Sequence, residues 1–378
     1  MKAKTIKGKT AEEIQIELEK LTADDFRPSL AIVFLSAINE VDGVCSLLDE
    51  KGIAIFGANT HAEFTEKETE NTGIAVLLLD INPNYFKIIL NEFGSGSVYE
   101  TACDVGEAGL KTFSNPAFII SASNYKTSAE EIVAGLVEKV GPDISLFGGR
   151  AGEMVNFEGR VFTNDTVYDS GLIALILDQD KIKLRGVAAS GWKAVGTEKT
   201  ITKGDGHIIY TIDNQPAFEV VKKFLGKEII NDDNKTGLIR LNMLYPLQIF
   251  RPGRIPKMLP VLFANTEDQS LVMPEDVIEG SIFRFSFPPD FDVIDTVVQT
   301  SREIKESEMP EADALVIFSC IGRLSSMGPM AATEVEELAN TWNSPMIGFY
   351  SLGEFGRVKN GDAEFHGTTV SWVALKEK

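Results

Sequence analysis

The chain has 378 residues, more than one hydrophobic core usually accommodates, so two domains are the natural expectation. Its 36 basic residues against 56 acidic ones give a formal charge of −20, which sets aside nucleic acid and anionic membranes as principal partners. Cys45, Cys103 and Cys320 are far apart, with no Cys-x-x-Cys pair; a disulfide framework or structural zinc is not expected, and a reducing cytoplasm fits.

No apolar core follows the lysines of the first ten residues, as a secretory signal would require, and the longest apolar runs, such as Gly73–Leu79, are only strand-sized. A soluble cytoplasmic protein is expected. Thr10 and Glu13 form a capping box before Ile14, Leu18 and Leu21, which share a helical face. Leu30–Leu35 is continuously apolar, the pattern of a strand covered on both faces. A short helix through Val41, Val44 and Leu48 leads to strands at 53–56, 75–79 and 117–121. Ser128, with Glu131 three residues on, opens the clearest helix, striped by Val133, Leu136, Val137 and Val140.

From about 159 to 212 the pattern changes to successive strands with turns at 178–180 and 203–206, which predicts an antiparallel meander. Pro216 opens a helix through Phe218, Val221, Phe224 and Leu225, stopped by Gly226. Residues 231–258 read as an irregular excursion. Strands near 261–264 and 281–287 follow, then a helix over about 291–305. The chain closes in a βαβ unit: Asp313–Cys320, a helix with Val335, Leu338, Ala339 and Trp342, and Pro345–Tyr350. No internal repeat stands out. The fold class is α/β, two lobes divided near Gln215 (28–214 and 215–375), each a largely parallel or mixed sheet layered with helices.

Polar groups just beyond apolar strands occupy the usual ligand position of an α/β sheet. Arg323 and Glu354 follow the two strands of the terminal unit. They suit a zwitterion, the guanidinium gripping a carboxylate and the carboxylate receiving an ammonium, with Tyr350 and Ser351 adding hydrogen bonds. Direct pairing of Arg323 with Glu354 is an equal alternative. Cys320 and His366 could form a thiolate–imidazole pair, giving a thiol-dependent hydrolase or transferase, although no protease signature surrounds them. Glu354, Asp362, Glu364 and His366 match no metal-binding spacing, so no metal is expected. Phe147–Gly152, which carries Arg150, is neither a Walker loop nor Gly-x-Gly-x-x-Gly and reads as a tight turn. In Gly57–Glu63, Asn59 and Thr60 either line a cleft or cap a turn. Trp192 is expected in the core or between the lobes.

Phe147-Gly-Gly-Arg-Ala-Gly152, Gly171-Leu-Ile-Ala-Leu175 and Gly186-Val-Ala-Ala-Ser-Gly-Trp192 together resemble the FIST N domain. Phe318-Ser-Cys-Ile-Gly-Arg323, Gly348-Phe-Tyr-Ser-Leu-Gly-Glu-Phe-Gly356 and Phe365-His-Gly-Thr-Thr-Val-Ser371 resemble the FIST C domain. The resemblance implies a bacterial or archaeal sensory module that binds small ligands, amino acids among them, without a cofactor. Such modules occur with chemoreceptors, histidine kinases and the wider two-component machinery. The sequence departs at Asn59-Thr-His61, where a Ser/Thr-Ala-Gly type run is expected, and it ends at Lys378 without an output segment. Signalling would then pass to a separate protein. The ligand-contact residues expected on this reading are Arg323, Tyr350, Ser351, Glu354, His366, Cys320, Arg150 and Asn59.

Overall fold

A computed structural model describes residues 1–22, 25–67, 73–94, 96–154, 157–225, 238–240, 245–252, 254–287 and 292–378. The expected helix stop at Gly226 and much of the expected excursion at 231–258 lie outside them. Four sheets account for the strands. The first runs β1 (Lys2–Gly8), β5 (Ile74–Asp80), β2 (Leu30–Leu35), β3 (Ala54–Asn59), β9 (Val161–Phe162), β10 (Val167–Tyr168). The second runs β6 (Phe86–Glu92), β11 (Gly171–Asp178), β7 (Pro116–Ala122), β8 (Ser145–Arg150), β24 (Glu354–Arg357), β25 (Ala363–His366). The third runs β12 (Ile182–Ala189), β26 (Val370–Glu377), β22 (Ala314–Cys320), β23 (Met346–Ser351), β4 (Glu63–Thr65).

These three sheets are one pattern repeated. In each, two strands joined through helix are parallel (β2–β3, β7–β8, β22–β23), and an antiparallel strand flanks the first of them (β5, β11, β26). The outer neighbour of the second parallel strand always comes from another repeat: β9 on β3, β24 on β8, β4 on β23. The exchange closes a ring, since the first repeat gives a strand to the third, the third to the second, and the second to the first. The internal repetition was invisible in sequence because it resides in pairing, not in residue identity.

Alternation along each strand sets the layers. Leu30, Ile32 and Phe34 point into a core shared by all three sheets, together with Ile119, Val316, Phe318 and Phe349. The Phe34 ring meets Phe349 at 4.6 Å and Phe318 at 5.9 Å between centroids. Ala31, Val33 and Leu35 face outward, beneath α1 (Ala11–Thr22) and α2 (Val41–Glu50). Likewise α3 (Val98–Thr112) and α4 (Ala129–Val140) cover the second sheet. The third is covered by α6 (Asp292–Ser307), α7 (Ile321–Met327) and α8 (Met330–Trp342). The helix α3 is not among the expected elements, although Ser97 and Glu100 make a complete capping box at its start. Its glycines weaken the helical signal, yet they serve packing: a Cβ on Gly109 would lie 2.6 Å from the Phe118 ring.

The fourth sheet, nine-stranded, is inserted between β12 and α6. It runs β16 (Leu238–Arg240), β19 (Phe263–Asn265), β20 (Leu271–Val272), β14 (Ile208–Ile212), β13 (Ala194–Asp205), β21 (Ile282–Ser286), β17 (Leu247–Arg251), β18 (Arg254–Leu259), with β15 (Gln215–Pro216) on β14. Its core includes the buried face of α5 (Ala217–Leu225). Pairing throughout 159–212 is antiparallel, as expected, but it is not one meander: β9, β11, β12 and β13 enter four different sheets, and the consecutive strands that pair with each other are β9 with β10 and β13 with β14. Gln215 falls within this inserted sheet, whereas the strand exchange ties together segments on both sides of it.

Candidate functional site

The last residues of the three second parallel strands are Asn59, Arg150 and Ser351, paired in register with Leu35, Ala122 and Cys320. These equivalent positions have different fates. Asn59 Oδ1 accepts the Arg160 backbone N–H, and Gly152 donates to the Asn59 carbonyl at 3.0 Å, which closes the first position. Ser351 donates its hydroxyl to Glu354 at 2.6 Å, which fills the third. Arg150 stays in contact with a cavity.

The cavity has a volume of about 60 Å³ and shares Tyr125, Leu262, Pro274 and Glu275 with a cleft of about 1440 Å³. The three-sheet body contributes Arg150, Cys320, Ile321, Leu352, Gly353 and Phe365, and the inserted sheet supplies the roof through Pro260, Leu262, Pro274 and Glu275. Strand exchange builds its inner end: Arg150 N–H donates to the Gly353 carbonyl at 2.9 Å, and Leu352 N–H to the Arg150 carbonyl at 3.0 Å. Gly353 has φ +114°, a conformation that favours glycine, and any Cβ there would strike the Phe365 ring. The roof is tied down by Lys257, which pairs with both Glu130 and Glu275, and by Arg251, which grips Glu364 at 2.7 and 2.9 Å.

Arg150 is 3% exposed. Nη1 donates to the Tyr125 carbonyl at 2.9 Å and Nη2 to the Thr127 carbonyl at 2.7 Å, while the guanidinium carbon lies 5.1 Å from the Phe365 ring centre. Its Nε–H has no acceptor among the described residues. Burial lowers its pKa from the usual arginine value to about 10, so it remains a cation at neutral pH. The two glycines before it lie within β8 and do not form the expected turn: a Cβ on Gly149 would sit 2.8 Å from the Phe318 ring and 2.9 Å from Ser351 Cβ. They let the second and third sheets approach closely.

The other expected residues are held in internal networks. Arg323 does not meet Glu354; its Nε donates to Glu334 at 3.0 Å, Nη2 bonds the other Glu334 oxygen, and Nη1 donates to the Ser190 carbonyl at 2.6 Å. Trp192 is buried, as expected, beneath that guanidinium at 4.9 Å. Glu334 sits one helix further on, where its surface-type helical spacing gave no cue in sequence. Glu354 accepts from Ser351, from the Thr369 hydroxyl at 2.7 Å and from the Thr369 N–H at 3.2 Å; burial pushes its carboxyl up to about 8. Tyr350 packs against Phe64 at 5.2 Å, and burial raises its hydroxyl pKa. Cys320 contacts the cavity, but burial and then the Glu354 charge raise its thiol pKa well above the ordinary value. His366 Nε2 faces the Gly356 carbonyl at 3.1 Å, and burial lowers its pKa to about 4. Among the described residues no hydrogen bond joins Cys320 to His366, and no group of His, Cys, Asp and Glu could hold a metal. Arg150 and Cys320 are thus the expected site residues that reach the cavity.

The comparisons agree with the motifs. The FIST N domain model matches residues 29–215 and the FIST C domain model matches residues 217–357, and the chain belongs to the FIST family. FIST domains are sensory domains, which places the chain in signal transduction in the broad sense. An uncharacterized protein of Methanocaldococcus jannaschii is 23% identical over 244 residues, covering 62% of this chain and 45% of that protein, so the chain matches less than half of that relative's length. A crystal structure of a chorismatase aligns over 99% of this chain and 97% of its own, at 7% identity and a TM-score of 0.36. Likeness at that level carries nothing about activity. Among the described residues, no helix is long and apolar enough to cross a membrane.

Proposed function

We propose that this protein is a non-catalytic intracellular sensor. It binds a small carboxylate-bearing metabolite in the Arg150 cavity. Occupancy is passed to a separate signalling protein of the histidine kinase or chemoreceptor kind. One observation carries the reading: Arg150, a buried cation whose Nε–H has no acceptor among the described residues, lines a roofed cavity. Desolvated polar groups are normally paired in the folded state, so a buried donor without an acceptor points to a ligand that supplies one. A carboxylate can grip a guanidinium side-on through Nε–H and a neighbouring Nη–H.

The absence of a competent thiolate supports a binding role. A nucleophilic cysteine needs a lowered pKa and a base within reach, whereas burial drives the Cys320 thiol the other way and His366 is turned to a backbone carbonyl. The roof offers a route for the signal. Because the body and the inserted sheet both line the cavity, a ligand touching both favours one arrangement of the two by its differential affinity.

The test is a thermal-shift screen of the full chain against metabolites. A ligand at a hundred times its Kd adds about 2.7 kcal/mol of stability, and the shift should vanish in Arg150→Gln. A screen of several hundred soluble metabolites without one stabiliser would end the sensor reading. Pull-down from the native cell with and without the stabilising compound then identifies the output protein.

A further inference from the structure

The inner end of the cavity is specific about what can lie next to Arg150. The walls of the cavity it lines are chiefly Phe157, Pro260, Ile321, Leu352 and Phe365, and the Phe365 ring lies against the guanidinium. The carboxylate among the lining residues is Glu275, and Lys257 pairs with it. Arg150 is the contrasting case: two of its five N–H donors bond the Tyr125 and Thr127 carbonyls, and Nε–H is unmatched. The cavity therefore offers a cationic donor chiefly against hydrocarbon, and its lining carboxylate, Glu275, is already engaged by Lys257.

An α-amino acid fits this poorly. Its ammonium lies on the carbon next to the carboxylate, so a carboxylate seated on Arg150 brings the ammonium into the same inner pocket. There it would face a like charge and apolar walls, and a desolvated charged group without a partner is strongly unfavourable. Resting on the sensor reading, we infer that the ligand is a small monocarboxylate without an α-amino group. Its carboxylate takes Arg150 side-on, and its apolar body extends past Leu262 and Pro274 into the larger cleft. The cavity's volume of about 60 Å³ suits the head of such a molecule, and the shared lining leads its tail outward.

The experiment uses the full chain and three compounds with one hydrocarbon body: 3-phenylpropionate, phenylalanine and phenethylamine. A panel of polar amino acids and straight or branched short-chain carboxylates accompanies them. Titration calorimetry and thermal shift should rank carboxylates without an α-amino group at least tenfold tighter than their amino-acid counterparts, with no binding of the amine. Arg150→Gln should lose at least tenfold in affinity, and Arg150→Lys should fall between. Leu262→Trp, which puts a larger side chain in the roof and leaves Arg150 in place, should also abolish binding, so the result does not depend on one variant folding. Tighter binding of an amino acid than of its deaminated counterpart overturns the inference and leaves the sensor standing. So does a panel in which only cations stabilise. No stabiliser in this panel or among wider metabolites overturns both.

Discussion

Arg323 and Glu334 form a two-point ion pair between α7 and α8, with side chains 0% and 1% exposed. The pair fastens three elements together, because Nη1 of Arg323 also holds the Ser190 carbonyl at the end of β12. Removing one partner strands the other charge in the interior, which typically costs about 3–5 kcal/mol, whereas replacing both by hydrocarbon costs far less. Arg323→Ala and Glu334→Ala should each lose stability on that scale in urea unfolding, and Arg323→Met with Glu334→Leu should recover most of it. A loss under about 1 kcal/mol in the single variants would mean that solvent reaches the pair.

Stability should depend on pH through two buried groups of opposite sense. The folded Glu354 pKa, about 8, lies above the unfolded value of roughly 4.3. Its contribution is therefore complete at pH below that unfolded value and is lost as pH rises to 8. The folded His366 pKa, about 4, lies below the unfolded value of about 6.5. Its contribution is complete above the unfolded value and is lost as pH falls to 4. Relative to Glu354→Gln, wild-type stability should decline with rising pH at up to about 1.4 kcal/mol per unit, ending near pH 8. Relative to His366→Gln it should decline as pH drops from neutrality. Urea unfolding at half-unit intervals measures both, and a flat Glu354 comparison from pH 5 to 8 would show that the folded carboxyl is ionised throughout.

Cys320 should behave as an inert thiol. It is 4% exposed and its pKa is raised, so iodoacetamide at pH 7.5 should label it far more slowly in the native state than in urea. Peptide mass mapping of a time course separates it from Cys45 and Cys103. Rapid native labelling of Cys320 would restore the thiol-enzyme reading.

Neither half of the chain should fold alone. Phe355 of β24 pairs with Gly148 of β8, and Glu63 of β4 pairs with Phe349 of β23, so each half supplies strands that the other needs. Fragments cut between the FIST N and FIST C matches, after residue 215, should show no cooperative melt separately and should regain one when co-expressed. A cooperative transition in residues 1–215 alone would mean that the exchanged strands are dispensable.

What could be read from sequence was local. Leu30–Leu35 announces a strand buried on both faces, and Ser128 with Glu131 announces α4; both rest on neighbours a few residues apart. The ring of exchanged strands was not legible, because which edge a short strand joins is decided by distant backbone hydrogen bonds. The same limit applied to the site. That Arg323 stands near a carboxylate was inferable, but that the carboxylate is Glu334 depends on how α8 packs on α7. Arg150 was visible, flanked by glycines that invited a turn, and its cavity is roofed by residues more than a hundred positions later.

The closed ring in one chain has a consequence for how such a fold can change. A symmetric assembly of three identical subunits alters all its crevices with every substitution, so none can specialise without the others. Here the counterparts at Asn59, Arg150 and Ser351 mutate independently. Two are closed by hydrogen bonds that brace the body, and the third, the one beneath the inserted sheet, can vary while its siblings keep the scaffold shut.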